Sequence, residues 1–326
     1  MIKLVVDAMG GDLGSVEVVK AIKDFLSINK DTEITAVGKL EELKELEGLC
    51  TIIDAPDAVP MNAGALEVLR LKNSSMMKAI KACKEENFDG VISCGSTGAF
   101  LSAATITLKM IPGVKRACLV APFPSNIKGK KVVILDVGAN NENSAEELAQ
   151  FALMGRLYSQ TIFGISEPRV YTLSNGTEDG KGSPEIKAVG KLLRENNFPN
   201  YKGNIEAKTA LSGEADVVVT DGFTGNVFLK GCEGIAKFMG SMMKSAFKKN
   251  LWTKLGYLHV RKGINEISDT MDYKTTGGAM LLGVNGVVVK AHGSSDALAF
   301  AHALDVAYNL ARNKILDAIK GGLENA

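Results

Sequence analysis

Seven short runs of Val, Ile and Leu punctuate the chain, at 2–6, 90–93, 117–121, 131–137, 169–173, 216–220 and 286–290. They are apolar at almost every position instead of every second one. That is the pattern of a strand covered on both faces. Between most of them lie longer segments with apolar residues at helical spacing, at 15–28, 74–86, 144–158, 183–196 and 296–319. Doubly buried strands alternating with helices predict an α/β fold on a mostly parallel sheet. Helix starts are marked too. Ser144 with Glu147 makes a capping box, and Ser183–Pro184 places Ser at the N-cap and Pro at the first helical position. No linker, low-complexity tract or exact repeat breaks the alternation, so 1–326 is read as a single α/β domain.

Polar turns follow six of the apolar runs. Asp7, Gly10, Gly11 and Asp12 follow the first, and Gly95, Ser96, Thr97 and Gly98 the second. Asp136, Gly138 and Asn140 come next, then Gly176, Thr177, Asp179 and Lys181, then Asp221, Gly222, Thr224, Gly225 and Asn226. His292, Gly293, Ser294 and Ser295 close the series. In a parallel sheet the carboxyl ends of the strands share one edge, so all six loops are expected to converge there. Glycines admit a ligand close to the backbone, and helix N-termini present free N–H groups to an anion. Any one such loop is explained by turn chemistry alone. Six at one edge predict a small-anion site, with phosphate the first candidate. No loop matches GxxxxGK[ST] or the full GxGxxG pattern, which weakens a nucleotide or dinucleotide site.

The charge balance is +1 and carries no information about nucleic acid or anionic lipid. Five scattered cysteines without a CxxC pair argue for a reducing compartment and against a disulfide framework. The N-terminus has a core-strand pattern, not that of a signal peptide. No stretch approaches roughly 18 uncharged apolar residues, so no spanning helix is expected. Three histidines, His259, His292 and His302, lie far apart, and no metal is expected. There is no GxSxG elbow. Cys94 is either a thiol nucleophile or a small buried residue. His292 is either a proton carrier or a structural histidine. The missing triad suits one reaction class well. Phosphate is already anionic and a thiolate leaves readily, so the protein has only to position reactants and stabilise an oxyanion. Backbone N–H groups, Lys181, Asn226 and Asn140 can serve that purpose.

Residues 234–265 carry seven Lys or Arg and no Asp or Glu, with Ile, Phe, Met and Leu at helical spacing. Such a segment can lie in a membrane interface, dock an acidic carrier protein, or pack as a core or dimer helix with a solvated face.

In this order, DAMGGD (7–12), RLKNSSM (70–76), GSTGA (95–99), LDVGAN (135–140), GTEDGKG (176–182), DVVVTDGFTGNVFLK (216–230) and GGAMLLGVNGVVVKAHGSS (277–295) resemble the bacterial acyl-carrier-protein:phosphate acyltransferases of phospholipid synthesis. The resemblance spans essentially the whole chain. It departs at Ser96, where Asn is common, and at Ala207, where Gly is usual. It implies a Rossmann-like three-layer fold similar to phosphotransacetylases and isopropylmalate-type dehydrogenases. It also implies transfer of a fatty acyl group from acyl carrier protein to inorganic phosphate, without a cofactor. A membrane glycerol-3-phosphate acyltransferase would consume the acyl phosphate. A homodimer in the cytoplasm is implied, attached peripherally to the inner face of the membrane, with no nucleic acid partner. Its membrane attachment would use a helical hairpin within 234–265, through Lys248, Leu251, Trp252, Leu255 and Leu258. Lys181 and Asn226 match motif positions associated with catalysis, with Asp221 expected as an ion-pair partner of Lys181 and His292 as the proton carrier. Asp7, Gly10, Gly11, Ser96, Thr97, Gly98, Asn140, Thr177, Gly225 and Ser294 are the expected phosphate and substrate contacts. An acyl-CoA donor, a nicotinamide-dependent dehydrogenase and a non-catalytic membrane scaffold for lipid enzymes are the alternatives.

Overall fold

The computed structural model describes residues 1–271 and 277–324. Eleven strands among these form one sheet: β1 (Ile2–Asp7), β2 (Thr32–Gly38), β3 (Thr51–Asp54), β4 (Gly90–Ser93), β5 (Cys118–Pro124), β6 (Lys131–Leu135), β7 (Val170–Ser174), β8 (Tyr201–Glu206), β9 (Val217–Val219), β10 (Ala279–Leu282) and β11 (Val287–Lys290). Their order is β3-β2-β1-β4-β11-β10-β5-β6-β9-β7-β8. Apolar residues on alternating positions feed opposite faces, as the two-residue period of a strand requires. Leu4 and Val6 pack on one side with Phe151 and Phe300, while Val5 packs on the other with Ile80 and Phe100.

The expected shared edge is not what forms. The strands β3, β2, β1, β4 and β11 run parallel to one another, and so do β6, β9, β7 and β8. Between the two sets, β10 is antiparallel to both β11 and β5, and β5 is antiparallel to β6. Three reversals in succession turn the second half-sheet against the first. The register then brings the two sets of strand ends together. Val289 faces Met280, Met280 faces Val120, and Val120 faces Leu135. One row across the sheet thus joins the end of β11 to the end of β6. The two half-sheets point their carboxyl ends at each other, and loops from both sets border a central cleft from opposite sides.

The helices are α1 (Ser15–Ile28), α2 (Leu40–Leu43), α3 (Ser75–Glu85), α4 (Thr97–Leu108), α5 (Ala145–Phe163), α6 (Pro184–Glu195), α7 (Gly222–Lys248), α8 (Leu251–Met271), α9 (Ala297–Arg312) and α10 (Ile315–Glu324). The capping box at Ser144 and the Ser183–Pro184 start both form. The segment at 296–319, read as one helix, is two. Asn313 ends α9, and Lys314 takes a positive φ before α10 begins. The hairpin predicted at 234–265 is longer than expected. The helix α7 starts at Gly222, directly after the β9 loop, so the protruding hairpin and the cleft wall are parts of one helix.

Candidate functional site

Each half-sheet ends in a buried carboxylate that organises its loops. Asp7, at the end of β1, is 1% exposed. It accepts from Ser93 Oγ at 2.7 Å, and Ser93 Oγ in turn accepts from the Gly95 N–H at 3.0 Å. Burial pushes the Asp7 carboxyl above the usual range, while bonds from Ser75, Ser93 and the Met9 and Gly10 amides pull it back. A β-carbon on Gly10 would stand 2.6 Å from the Gly95 nitrogen, so the β1 and β4 loops touch backbone to backbone. In the other half, Asp136 follows β6 and is fully buried. It accepts from the amides of Leu119, Gly138, Ala139 and Asn140 and from Asn140 Nδ2. Here too burial raises the carboxyl and the N–H donors oppose it. Asn140 gives its remaining amide hydrogen to the Ala117 carbonyl at 2.8 Å. Asp7 and Asn140, expected as ligand contacts, therefore shape the loops from behind.

The loops enclose a cleft of about 570 Å³. The first half contributes Asp12, Thr97, Gly98, Lys290 and His292, and the second contributes Gly138 and Asn226. The first turn of α4 faces this space without a side-chain cap, because Ser96 Oγ donates instead to the Ala63 carbonyl. A β-carbon on Gly98 would meet nothing within 4 Å, so a ligand can come close to that turn. An uncapped N-terminus with room before it favours an anion. Among the described residues no group of three His, Cys, Asp or Glu side chains could hold a metal ion.

Three residues in or under the cleft differ sharply in character. Cys94 is buried, donates to the Gly10 carbonyl, and has its thiol pKa pushed up to about 12 by burial and by Asp7. A thiol so hard to ionise is a poor nucleophile. His292 Nδ1 accepts from the Ser294 amide at 3.2 Å and lies 2.9 Å from Ser294 Oγ. That leaves Nε2 carrying the proton in the neutral ring. Partial desolvation lowers the His292 pKa, with Lys290, Lys237 and Lys230 acting in the same direction against Glu233. Lys290, which no motif reading singled out, lines the cleft while only 6% exposed. Its signal in the sequence is a charged residue closing the otherwise apolar run 286–290.

The first turns of α7 divide this cleft from a second cavity of about 550 Å³. Asn226, Leu229, Lys230 and Glu233 line the cleft, while Thr224, Val227 and Phe228 line the second cavity. At 100° per residue these are opposite faces of the helix. The second cavity is bordered by Gly182 and Ser183, next to Lys181. Lys181 and Thr177 are exposed on that loop. The expected Lys181–Asp221 ion pair does not form. Asp221 is the N-cap of α7, accepting from the Thr224 amide at 2.8 Å and from Thr224 Oγ1 at 2.7 Å. Asn226 and the Lys181 loop thus stand on opposite sides of α7. Gly11 packs against Cys94, and Gly225 against the Asp136 carbonyl.

Beyond the cleft, α7 and α8 project as a hairpin. Leu251, Leu255 and Leu258 are 70%, 44% and 63% exposed at the i, i+4, i+7 spacing of one helix face, with Trp252 beside them at 82%. Lys248 is exposed at the end of α7. No described helix is long and apolar enough to cross a membrane.

The family model described as "Fatty acid synthesis protein" matches residues 2–317. The phosphate acyltransferase of Staphylococcus saprophyticus is 41% identical, with all of both chains covered. Among solved structures, a phosphotransacetylase from Streptococcus pyogenes superposes with a TM-score of 0.62 at 18% identity, covering 97% of this chain and 94% of that one. A 4-hydroxythreonine-4-phosphate dehydrogenase from Klebsiella pneumoniae gives 0.55 at 12% identity, covering 95% and 99%. The two structural likenesses bear on the fold, and they match the expected phosphotransacetylase and dehydrogenase type.

Proposed function

The chain belongs to the phosphate acyltransferase family, enzymes of fatty acid and phospholipid synthesis, and from that premise we propose that it moves a long-chain acyl group from the thioester of acyl carrier protein to inorganic phosphate. A phosphate oxygen attacks the thioester carbonyl, the carbon–sulfur bond breaks, and the proton of the phosphate ends on the departing thiol. The products are acyl phosphate and free carrier protein. The observation that carries this reading is a cleft that presents an open helix N-terminus to an anion, with the Cys94 thiol beneath it held protonated. The uncapped α4 turn and Asn226 face each other across it, and Cys94 is buried and protonated. Asn226 Nδ2 serves as an oxyanion donor, and His292 Nε2–H as a hydrogen-bond donor to the departing sulfur.

A carrier protein with an acidic surface suits the lysine-rich hairpin, which can serve as a docking or membrane-facing element. In the same reading the enzyme works as a homodimer at the inner face of the membrane and delivers acyl phosphate to a membrane glycerol-3-phosphate acyltransferase.

The test is phosphate-dependent release of carrier protein from a long-chain acyl carrier protein, with acyl phosphate trapped by hydroxylamine. Hydroxamate that depends on phosphate supports the reading. A strong preference for acyl-CoA would replace the donor, and no turnover by a folded protein would sink it. Asn226→Ala should lower kcat by about 100-fold; a folded variant at full rate would remove that assignment.

A further inference from the structure

Lys290 closes β11 at the floor of the cleft, and almost all of its surface is removed from solvent. An ammonium has three hydrogens to donate. Among the described residues Lys290 Nζ meets a single hydrogen-bond acceptor, the carbonyl of Ala291. No carboxylate lies within ion-pair distance of it among those residues, although Asp7 and Asp12 are near enough to act on its charge. A buried cation left with unfilled donors is costly, and such groups are held where a ligand completes them. The space into which it faces also holds Thr97 and Gly98 of the uncapped α4 turn. Two independent features, a buried ammonium and an open helix N-terminus, therefore address one volume from two elements.

We propose that Lys290 and the first turn of α4 together form the subsite that holds the attacking phosphate, with Lys290 as its principal cation. This rests on the phosphate-acceptor reading above and deepens it. The sequence points to Lys181 as the cation of the reaction. The geometry gives the phosphate to Lys290 and leaves Lys181 on the far side of α7.

Two carboxylates act on Lys290: Asp7 on β1 and Asp12 on the loop after it both favour its protonated form, while the neutral Cys94 thiol beside them carries no charge. Burial opposes them and lowers its pKa to about 8. A bound phosphate dianion would add a counter-charge at hydrogen-bond distance, closer than Asp7 and Asp12 stand.

The experiment measures binding of inorganic phosphate alone, by titration calorimetry, to the full chain and to Lys290→Met and Lys290→Gln. Wild-type protein is expected to bind phosphate without any acyl donor, and both variants to bind it about 10- to 100-fold more weakly. In steady state the KM for phosphate should rise by a similar factor while the KM for acyl carrier protein stays within about twofold of wild type. The thermal midpoint of the variants should rise, since they no longer bury an underfilled ammonium.

Unchanged phosphate affinity in folded variants would overturn the proposal. So would a rise confined to the KM of the acyl donor, because the lysine would then be holding the phosphodiester of the donor's pantetheine arm. If neither variant folds, reductive methylation of wild-type Lys290, read by mass spectrometry, decides the matter. Phosphate should slow it and chloride at equal ionic strength should not; equal rates overturn the assignment. Failure of the carrier-protein reading looks different, because it leaves phosphate binding to Lys290 intact while abolishing hydroxamate formation.

Discussion

A β-carbon added to Gly225 would stand 1.8 Å from the carbonyl oxygen of Asp136. The start of α7 and the loop after β6 are thus in backbone contact, and Gly222 repeats the contact at 2.0 Å from the Asn140 carbonyl. Asp136 gathers its own loop with its carboxylate, while its carbonyl sets where α7 can lie. Asn226, one residue beyond Gly225, takes its place on the cleft wall from this docking.

Gly225→Ala should therefore shift or unseat the start of α7. Overpacking against backbone leaves no soft side chain to yield, so a loss of about 2–3 kcal/mol is expected, with a larger proportional loss of turnover. Gly231→Ala, on the same helix with nothing within 4 Å, is the control. It should be neutral or stabilising by up to about 1 kcal/mol. Urea denaturation of both variants checks the pair, and a stable, active Gly225→Ala would contradict the close contact.

Cys94 should be chemically quiet. With its thiol pKa near 12 and its hydrogen given to Gly10, it should resist a disulfide reagent at pH 8 in the folded protein and react only on unfolding. Cys94→Ser should keep most of the phosphate-dependent activity. An acyl group found on Cys94 by mass spectrometry after rapid quench would show that transfer passes through an acyl-enzyme.

Asp216 should give the stability curve part of its acid limb. Its carboxylate lies 2.7 Å from Lys130 Nζ and 2.8 Å from Arg169 Nε, and it accepts the Arg169 amide as well. Burial alone would raise its pKa, but the bonds from Arg169 and Lys130 outweigh burial and hold it below the ordinary value of 3.8. A carboxyl with a lowered folded pKa adds stability that is complete above its unfolded pKa and disappears as pH falls through its folded one. Asp216→Asn should therefore cost about 1–3 kcal/mol at pH 7, since Lys130 and Arg169 lose their carboxylate but keep the Gly213 carbonyl and access to solvent. The gap to wild type should narrow below pH 3.8. Denaturation at pH 7 and pH 3 tests this, and a gap that stays constant would refute it.

The apolar stripe on α8 should govern attachment. Replacing Leu251, Leu255 and Leu258 together by Ser removes three exposed leucines from one face. Each is worth roughly 1.5–3 kcal/mol on burial, so partition onto phosphatidylglycerol vesicles should fall by at least about 100-fold. Activity on soluble substrates should stay near wild type, since the stripe lies away from the cleft lining. Vesicle sedimentation gives the answer, and undiminished binding would place the anchor elsewhere.

What the sequence determined by itself is the set of parts. Continuous apolar runs announced doubly buried strands, Ser144–Glu147 and Ser183–Pro184 announced helix starts, and the DAMGGD-to-HGSS series announced the family. These are legible because strand and helix periods, caps and tight turns are written within a few residues of one another. What only the tertiary structure decided is which parts face which. The direction of β5 and β10 is invisible in their composition, because an apolar run reads the same in a parallel as in an antiparallel neighbour. Yet those two strands reverse the second half-sheet and set loops expected at one edge on opposite sides of a cleft, with the Lys181 loop left on the far face of α7. Lys290 is illegible in the sequence for a related reason: a lysine ending a strand is usually solvated, and only the fold around the end of β11 removes its water. The expected Lys181–Asp221 pair failed likewise, since Asp221 found nearer donors in its own helix turn. Local chemistry is set by neighbours in the chain, whereas charge pairing, desolvation and the facing of loops depend on contacts between residues far apart in it.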